Sequence, residues 1–166
     1  MARKTNKKED VVLPEVESDN ELATVAKDVP VDHFTHIVRE GKAKKLSPKT
    51  ENHVFYEIVI HDEESQPYIR MTGNQGGGLF SREPIKLVDL VNLLAEQGDK
   101  PFKSTVVKSL FKSGSANNSG FLMACCRGLG LIIQSEKSVF LHVLASDYDQ
   151  RRDELMSLVD VEPNAK

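Results

Sequence analysis

The fold is decided by residues 113–132, which read SGSANNSGFLMACCRGLGLI. The start of this stretch is small and polar, a composition that favours helix caps and turns over helix interiors. Its middle, residues 121–127, is mostly apolar and predicts a helix, which Gly128 and Gly130 should end. The chain then becomes strand-like at Leu131. The stretch therefore predicts a helix followed directly by a β-strand.

The residues after this helix predict a β-hairpin. Residues 131–134 and 139–143 are rich in β-branched and apolar side chains, and they flank the polar tip 135–138. Two such runs around a short polar tip are typical of a hairpin. Lys137 lies at the tip.

Two further helices are predicted upstream. Ser81 or Glu83 can cap the first, Pro84 suits its first turn, and apolar residues recur at helical spacing until Gly98. Ser104 can cap the second, whose inward side chains should be Val106, Val107, Leu110 and Phe111. Ser113 or Ser115 should cap the third helix, which contains the deciding stretch.

In this order of parts, residues 84–144 resemble a winged helix-turn-helix domain of the bacterial regulator type. The step Gly130-Leu131-Ile132 is similar to the GL[IV] step from recognition helix to wing in that superfamily. The resemblance implies an α+β fold with three helices plus a β-hairpin wing. It also implies that the third helix reads DNA and that the wing contacts phosphate or the minor groove.

The remaining chain is predicted to flank this unit. Residues 54–60 and 68–72 predict a hairpin, and 33–39 favour a short helix capped by Asp32, although a strand fits the same residues. The predicted organisation is a disordered tail (1–29), a small β-hairpin-containing subdomain (30–80), the winged helix-turn-helix (81–144), a C-terminal helix (145–160) and a frayed end (161–166).

The glycine-rich segment 73–78 is predicted to be a connector with positive φ angles. A P-loop would need Lys and Ser or Thr where Leu79 and Phe80 stand, and the dinucleotide pattern GxGxxG lacks its third glycine at Ser81. A ligand or DNA-backbone contact through the N–H groups of this segment is the less favoured alternative.

Charge favours a phosphate-binding surface in the winged-helix region. Residues 84–144 carry seven basic and four acidic side chains, whereas every other segment has more acids than bases. Asn pairs with adenine in a bidentate manner, so Asn117 and Asn118 are the leading base-reading candidates, although helix capping explains them as well. The further base-reading candidates are Ser115, Ser119 and Arg127. The predicted phosphate contacts are Lys103, Lys108, Lys112 and Lys137.

Enzyme chemistry is not predicted. The sequence offers no nucleophile and base in a credible context and no cofactor motif. His33 and His36 lack further ligands at matching intervals for a metal, and the adjacent Cys125 and Cys126 are interpreted as core thiols. The absence of a secretory signal and of an 18-residue apolar window predicts a cytoplasmic protein without a membrane partner.

The predicted function is binding of double-stranded DNA by a homodimeric transcriptional regulator of a bacterium or mobile element. The alternative is a non-enzymatic module that binds a protein partner on a winged-helix scaffold, with the 54–72 hairpin offering an edge strand. The long link between Lys112 and Ser119 and the scarcity of arginine in the third helix would suit that alternative.

Overall fold

The computed structural model describes residues 33–160 as seven β-strands, three α-helices and two 3-10 helices. In chain order they are β1 (His36–Lys44), β2 (His53–Ile60), β3 (Pro67–Asn74), β4 (Ile85–Lys86), α1 (Leu87–Ala95), β5 (Phe102–Lys103), a first 3-10 helix (Ser104–Leu110), α2 (Asn117–Gly128), β6 (Ile132–Ser135), β7 (Ser138–Leu144), α3 (Tyr148–Met156) and a second 3-10 helix (Ser157–Asp160). The architecture is α+β, as predicted. The tail predicted at 1–29 and the frayed end at 161–166 lie outside the described residues.

The first four strands form one antiparallel sheet in the order β1-β2-β3-β4. The predicted hairpin is confirmed, because β2 pairs with β3 from Val54↔Asn74 to Ile60↔Pro67. The helix favoured at 33–39 is wrong, since His36 begins β1 and pairs with Ile60 of β2. Pairing with a long neighbouring strand stabilises an extended segment that a single capping residue cannot hold as a helix. Because β2 lies between β1 and β3, it offers no free edge to a partner.

The second sheet has the order β5-β7-β6 and contains the predicted hairpin after α2. Ile132 pairs with Leu144 and Ser135 with Ser138, so the turn falls at Glu136 and Lys137. Phe102 of β5 pairs with His142 on the other side of β7. The hairpin is confirmed, and the predicted C-terminal helix is confirmed as α3.

The three upstream predictions for helix starts need correction. Ile85 and Lys86 are strand residues paired with Ile69 and Tyr68, so α1 begins at Leu87, after the predicted Ser81 or Glu83 cap. The second predicted helix is a 3-10 helix. The third, α2, begins at Asn117 with Ala116 at the capping position and no side-chain capping bond. In the first case, pairing of Ile85 and Lys86 with β3 displaced the local signal.

One hydrophobic core runs through residues on both sides of the predicted boundary at 80 and 81. It joins Ile58 and Ile69 of the first sheet to Leu90 of α1, Leu122 of α2 and Ile132 of β6. Helix α2 is at the centre of this core: the consecutive residues from Leu122 to Cys126 are all buried. A helix buried on most sides, rather than along one stripe, has little surface left for a ligand. The remaining surface of α2 therefore determines what this helix can bind.

Candidate nucleic-acid interface

Asn118, a predicted base reader, lies inside the protein with only 2% of its surface exposed. Its side-chain oxygen accepts a hydrogen bond from the backbone N–H of Ser81 at 2.7 Å, and its amide nitrogen donates to the carbonyl of Ser113 at 3.3 Å. Both halves of the amide are thus used within the fold. Asn118 cannot reach a base edge without breaking these bonds.

Asn117 and Ser115 are more accessible, and both bind the same backbone carbonyl. The Asn117 amide nitrogen donates to the Leu79 carbonyl at 2.9 Å, and the Ser115 hydroxyl donates to that carbonyl at 2.8 Å. Ser119, a further predicted base reader, is buried. Of the predicted amide pair, only Asn117 lies at the surface of α2.

The long link between the first 3-10 helix and α2 is held by the carboxylate of Glu83. This carboxylate accepts hydrogen bonds from the backbone N–H groups of Lys112 at 3.0 Å and Ser113 at 3.1 Å, and from the Ser81 hydroxyl at 2.7 Å. Burial alone would raise the pKa of Glu83, but these donors outweigh it and lower that pKa. The link is therefore fixed in position, despite its unusual length, by hydrogen bonds from its backbone to Glu83.

Arg127 attaches the end of α2 to the second sheet. Its Nε donates to Nδ1 of His142 at 3.1 Å, and a terminal nitrogen donates to the carbonyls of Val139 at 3.0 Å and Leu141 at 3.4 Å. Burial lowers the pKa of Arg127, yet a guanidinium stays protonated in proteins. Arg127 remains a cation, but its orientation is fixed by β7 and not by a base.

The four predicted phosphate contacts are all exposed, at separate places. Lys103 ends β5, Lys108 lies in the first 3-10 helix and Lys112 follows it, while Lys137 lies in the β6–β7 turn. Lys103 lines a cavity beside Phe140, and Lys137 lines a different one with Ile133 and Gln134. These lysines do not share one described cavity.

The accessible stripe of α2 faces two adjoining cavities. Its members are Asn117, Gly120, Phe121, Arg127 and Gly128, and the buried Ala124 also contributes to the lining of the larger cavity. The opposite wall of both cavities is the segment after β1, with Lys45 and Leu46 common to the two. The cavity at the start of α2 has a volume of about 190 Å³, and the one at its end about 390 Å³.

We call the larger cavity the basic groove. It is lined by Lys44, Lys45, Leu46, Pro48, Ala124, Arg127, Gly128, Gln134 and Val139, so among the described residues its lining includes three cations and no acid. Each cation is bonded to uncharged groups. Lys44 donates to the carbonyls of Lys45 and Ser47, and Lys45 donates to the side-chain oxygen of Asn74 at 2.8 Å and to loop carbonyls.

The electrostatic consequence is an uncompensated positive charge along the groove. Arg127 completes the set, since its partners are two carbonyls and an imidazole nitrogen that must be unprotonated to accept its N–H. Within residues 33–160, none of the three cations forms an ion pair with a carboxylate. Neutral acceptors hold the cations in place and leave their charge available to an anion.

Sequence reasoning missed the β1 side of this groove although a signal was present. Residues 39–49 contain five basic side chains and one acid. Over residues 28–83 as a whole this cluster is outweighed, because that range has seven basic and nine acidic side chains. No local pattern indicates that the cluster faces α2.

Other kinds of site are not found in the described part of the chain. Residues 33–160 contain no cluster of three or more His, Cys, Asp or Glu side chains suited to a metal ion. Cys125 and Cys126 are free and buried, as predicted, and burial raises the pKa of Cys126 to about 12. The same residues include no helix with the length and apolar character needed to cross a bilayer.

Comparison of the chain with protein-family models, with curated proteins and with solved structures yields no match.

Proposed function

We propose that this chain is a DNA-binding regulator that holds duplex DNA in the basic groove, on a winged-helix scaffold. The scaffold is supported by the element order: two helical segments, α2 and then the β6–β7 hairpin correspond to the parts of a winged helix-turn-helix. The buried face of α2 requires a contact mode in which its outer stripe, and not its amide pair, faces the nucleic acid.

The observation that carries the proposal is the set of three cations in the groove, none of which has a carboxylate partner among residues 33–160. Phosphate contacts supply most of non-specific DNA affinity, and they require positive charge that is not already neutralised. Gly120 has no side chain, so a ligand backbone can approach the helix closely beside Asn117 and Phe121. Lys137, at the tip of the hairpin beside Gln134, extends the positive surface.

The test is a titration of labelled mixed-sequence duplex DNA over a range of salt concentrations. We expect binding at about 50 mM salt, with an affinity that falls by about 0.9 logarithmic units per logarithmic unit of salt for each phosphate contacted. Lys44→Ala should weaken binding to all sequences alike and reduce the slope by about 1, as expected for one lost phosphate contact. The Lys44 ammonium is exposed and bonds only loop carbonyls, so the variant should fold normally.

Lys100→Ala is the matched control, because Lys100 is an exposed lysine in the turn between α1 and β5, outside the groove lining. Its titration should superimpose on that of the wild type. Equal effects of the Lys44 and Lys100 substitutions would place the DNA elsewhere on the surface. No binding at about 50 mM salt, where non-specific contacts hold, would rule out the proposal.

A protein-interaction module is the second candidate, and one cavity favours it. This cavity of about 440 Å³ lies beside Phe140, whose surface is 57% exposed, and it is lined by Lys103, Ser104, Thr105, Ser138 and Leu141 as well. An exposed aromatic beside a cavity is typical of a protein contact. Phe140→Ser should leave salt-dependent DNA binding unchanged if the groove binds DNA.

The homodimer, the cytoplasmic location and the bacterial or mobile-element origin stay predictions.

A further inference from the structure

Leu79 projects from the loop between β3 and β4 with 84% of its surface exposed, more than any other large apolar residue in the described chain. Single exposed leucines are common and need no explanation when they lie on mobile loops. Leu79 differs because the backbone around it is held by bonds to other elements.

The backbone on both sides of Leu79 is bonded to the candidate interface. Its own carbonyl accepts from Asn117 and Ser115 at the start of α2. The preceding carbonyl, of Gly78, accepts from the Asn74 amide at 3.3 Å, and the Gly77 carbonyl accepts from the Lys45 ammonium at 3.3 Å.

The conformation of the loop before Leu79 depends on its three glycines. Gly76, Gly77 and Gly78 all have positive φ, between 83° and 110°, a conformation that other residues adopt only with strain. The turn formed by these glycines brings the backbone of Leu79 to the start of α2, while the Leu79 side chain remains exposed to solvent. Since the loop is ordered in advance, inserting Leu79 into a partner loses little conformational entropy.

Two cations contact the chain close to Leu79. Lys45 donates to the Gly77 carbonyl, two residues before Leu79, and lines the basic groove and the cavity at the start of α2. Arg82, three residues after Leu79, stacks over the Phe80 ring at 5.2 Å and donates to the Thr72 carbonyl at 2.6 Å. An apolar side chain close to cations suits a ligand whose apolar interior is flanked by phosphates.

We propose that Leu79 is a wedge that enters the duplex between stacked base pairs and kinks it. Proteins that insert an apolar side chain between base steps from the minor groove kink DNA by about 20–90°. Here the positive charges of Lys45 and Arg82 attract the phosphates close to the opened step. This inference rests on the proposed function, because the wedge acts on DNA that the basic groove holds.

The experiment measures the bend and the affinity separately. A mixed-sequence duplex of about two helical turns, short enough for one protein, carries a donor and an acceptor dye at its ends. Saturation with the full chain should raise transfer efficiency, because a kink brings the ends together. Leu79→Ala should abolish that rise while its affinity stays within about tenfold and its salt slope is unchanged, because the phosphate contacts remain.

Ile37→Ala is the matched control, since Ile37 is an aliphatic residue, 43% exposed, near the start of β1 and outside the groove lining. This variant should bend the duplex as the wild type does. A straight wild-type complex, or equal bending by Leu79→Ala, would overturn the wedge and leave the groove proposal intact; a straight complex would favour a protein pocket as the partner of Leu79. Absence of any salt-dependent binding by the wild type would instead overturn the proposed function itself.

Discussion

At the scale of the residue, the Asn118 side chain joins two backbone segments, one of them 37 positions upstream. The N–H of Ser81, from the segment before β4, and the carbonyl of Ser113, from the link before α2, meet at its amide. An asparagine amide offers one acceptor and one donor side by side, the same pair that recognises adenine. Here that pair satisfies backbone groups inside the protein.

Asn118→Ala is therefore expected to reduce stability without a specific loss of DNA affinity. Two partly buried backbone groups would lose their partner, at a cost of about 1–3 kcal/mol in the free energy of unfolding. Urea denaturation followed by circular dichroism measures the loss. Asn117→Ala is the control, and it should cost less, because Ser115 still donates to the Leu79 carbonyl that Asn117 binds. A stable Asn118→Ala variant that has lost only sequence preference would restore Asn118 as a base reader.

Asn117 and Asn118 show that the residue types at the start of a helix do not by themselves determine the function of those residues. Asn and Ser at the start of a helix suit both capping and base reading, and the sequence offered both explanations. Whether each asparagine binds backbone groups within the fold or faces a ligand depends on which backbone groups lie beside its amide. Those groups belong to Ser81 and Leu79, more than 30 positions upstream. No local pattern predicts such a contact.

At the scale of the element, α2 and β1 approach closely where both end. A β-carbon added at Gly128 would lie 2.8 Å from the β-carbon of Ala43 and 3.7 Å from the Lys42 carbonyl. The small residues at 43 and 128 thus allow the helix to lie directly on the strand. At Gly120, on the accessible stripe of the same helix, an added β-carbon meets nothing within 4 Å.

The two glycines should respond to alanine in opposite directions. Gly128→Ala must move the helix away from β1 and should destabilise the fold by about 1–3 kcal/mol, as overpacking of a tight contact does. Gly120→Ala should stabilise it by about 0.5–1 kcal/mol, since alanine favours the helical conformation over glycine. Thermal or urea denaturation of the pair provides the comparison. Stabilisation by both substitutions would show that α2 does not pack on β1 at this distance.

Elements with a periodic pattern were predictable, and those created by pairing were not. Enrichment in β-branched, aromatic and apolar residues between turn signals was sufficient for β2, β3 and the β6–β7 hairpin, and the apolar run at Phe121 and beyond was sufficient for α2. For the start of β1 a strand was only the less favoured alternative, because Ile37 and Val38 are followed by charged and small residues that show no clear alternation. The two-residue strand β4 exists only through its partners Tyr68 and Ile69 in β3.

At the scale of the whole molecule, one polar network connects the second sheet to α2 and to the first 3-10 helix. His142, in β7, is completely buried, and its Nε2 lies 2.9 Å from the Ser104 hydroxyl while its Nδ1 accepts from Arg127. The network joins the first 3-10 helix, α2 and the second sheet. The sequence contained all three residues but gave no reason to connect them, because the contacts span 15 to 38 positions.

The same network predicts how the stability of the molecule depends on pH. Burial and the positive charge of Arg127 lower the pKa of His142 from 6.5 to about 4. Between pH 6.5 and about 4, His142 therefore stays mostly neutral in the folded protein, whereas the same imidazole is mostly protonated in the unfolded chain. Its contribution to the free energy of unfolding is complete above pH 6.5 and declines as the pH falls from 6.5 towards 4.

His142→Gln should remove this pH dependence, because glutamine does not titrate in that range. The wild type should be the more stable protein at pH 7, and its advantage over the variant should shrink by about 2–3 kcal/mol by pH 4.5, at about 1.4 kcal/mol per pKa unit. Urea denaturation of both proteins at several pH values measures the difference, in which the titration of shared groups largely cancels. Parallel curves would mean that His142 titrates alike in the folded and unfolded chain, and hence that the bond from Arg127 does not hold it neutral.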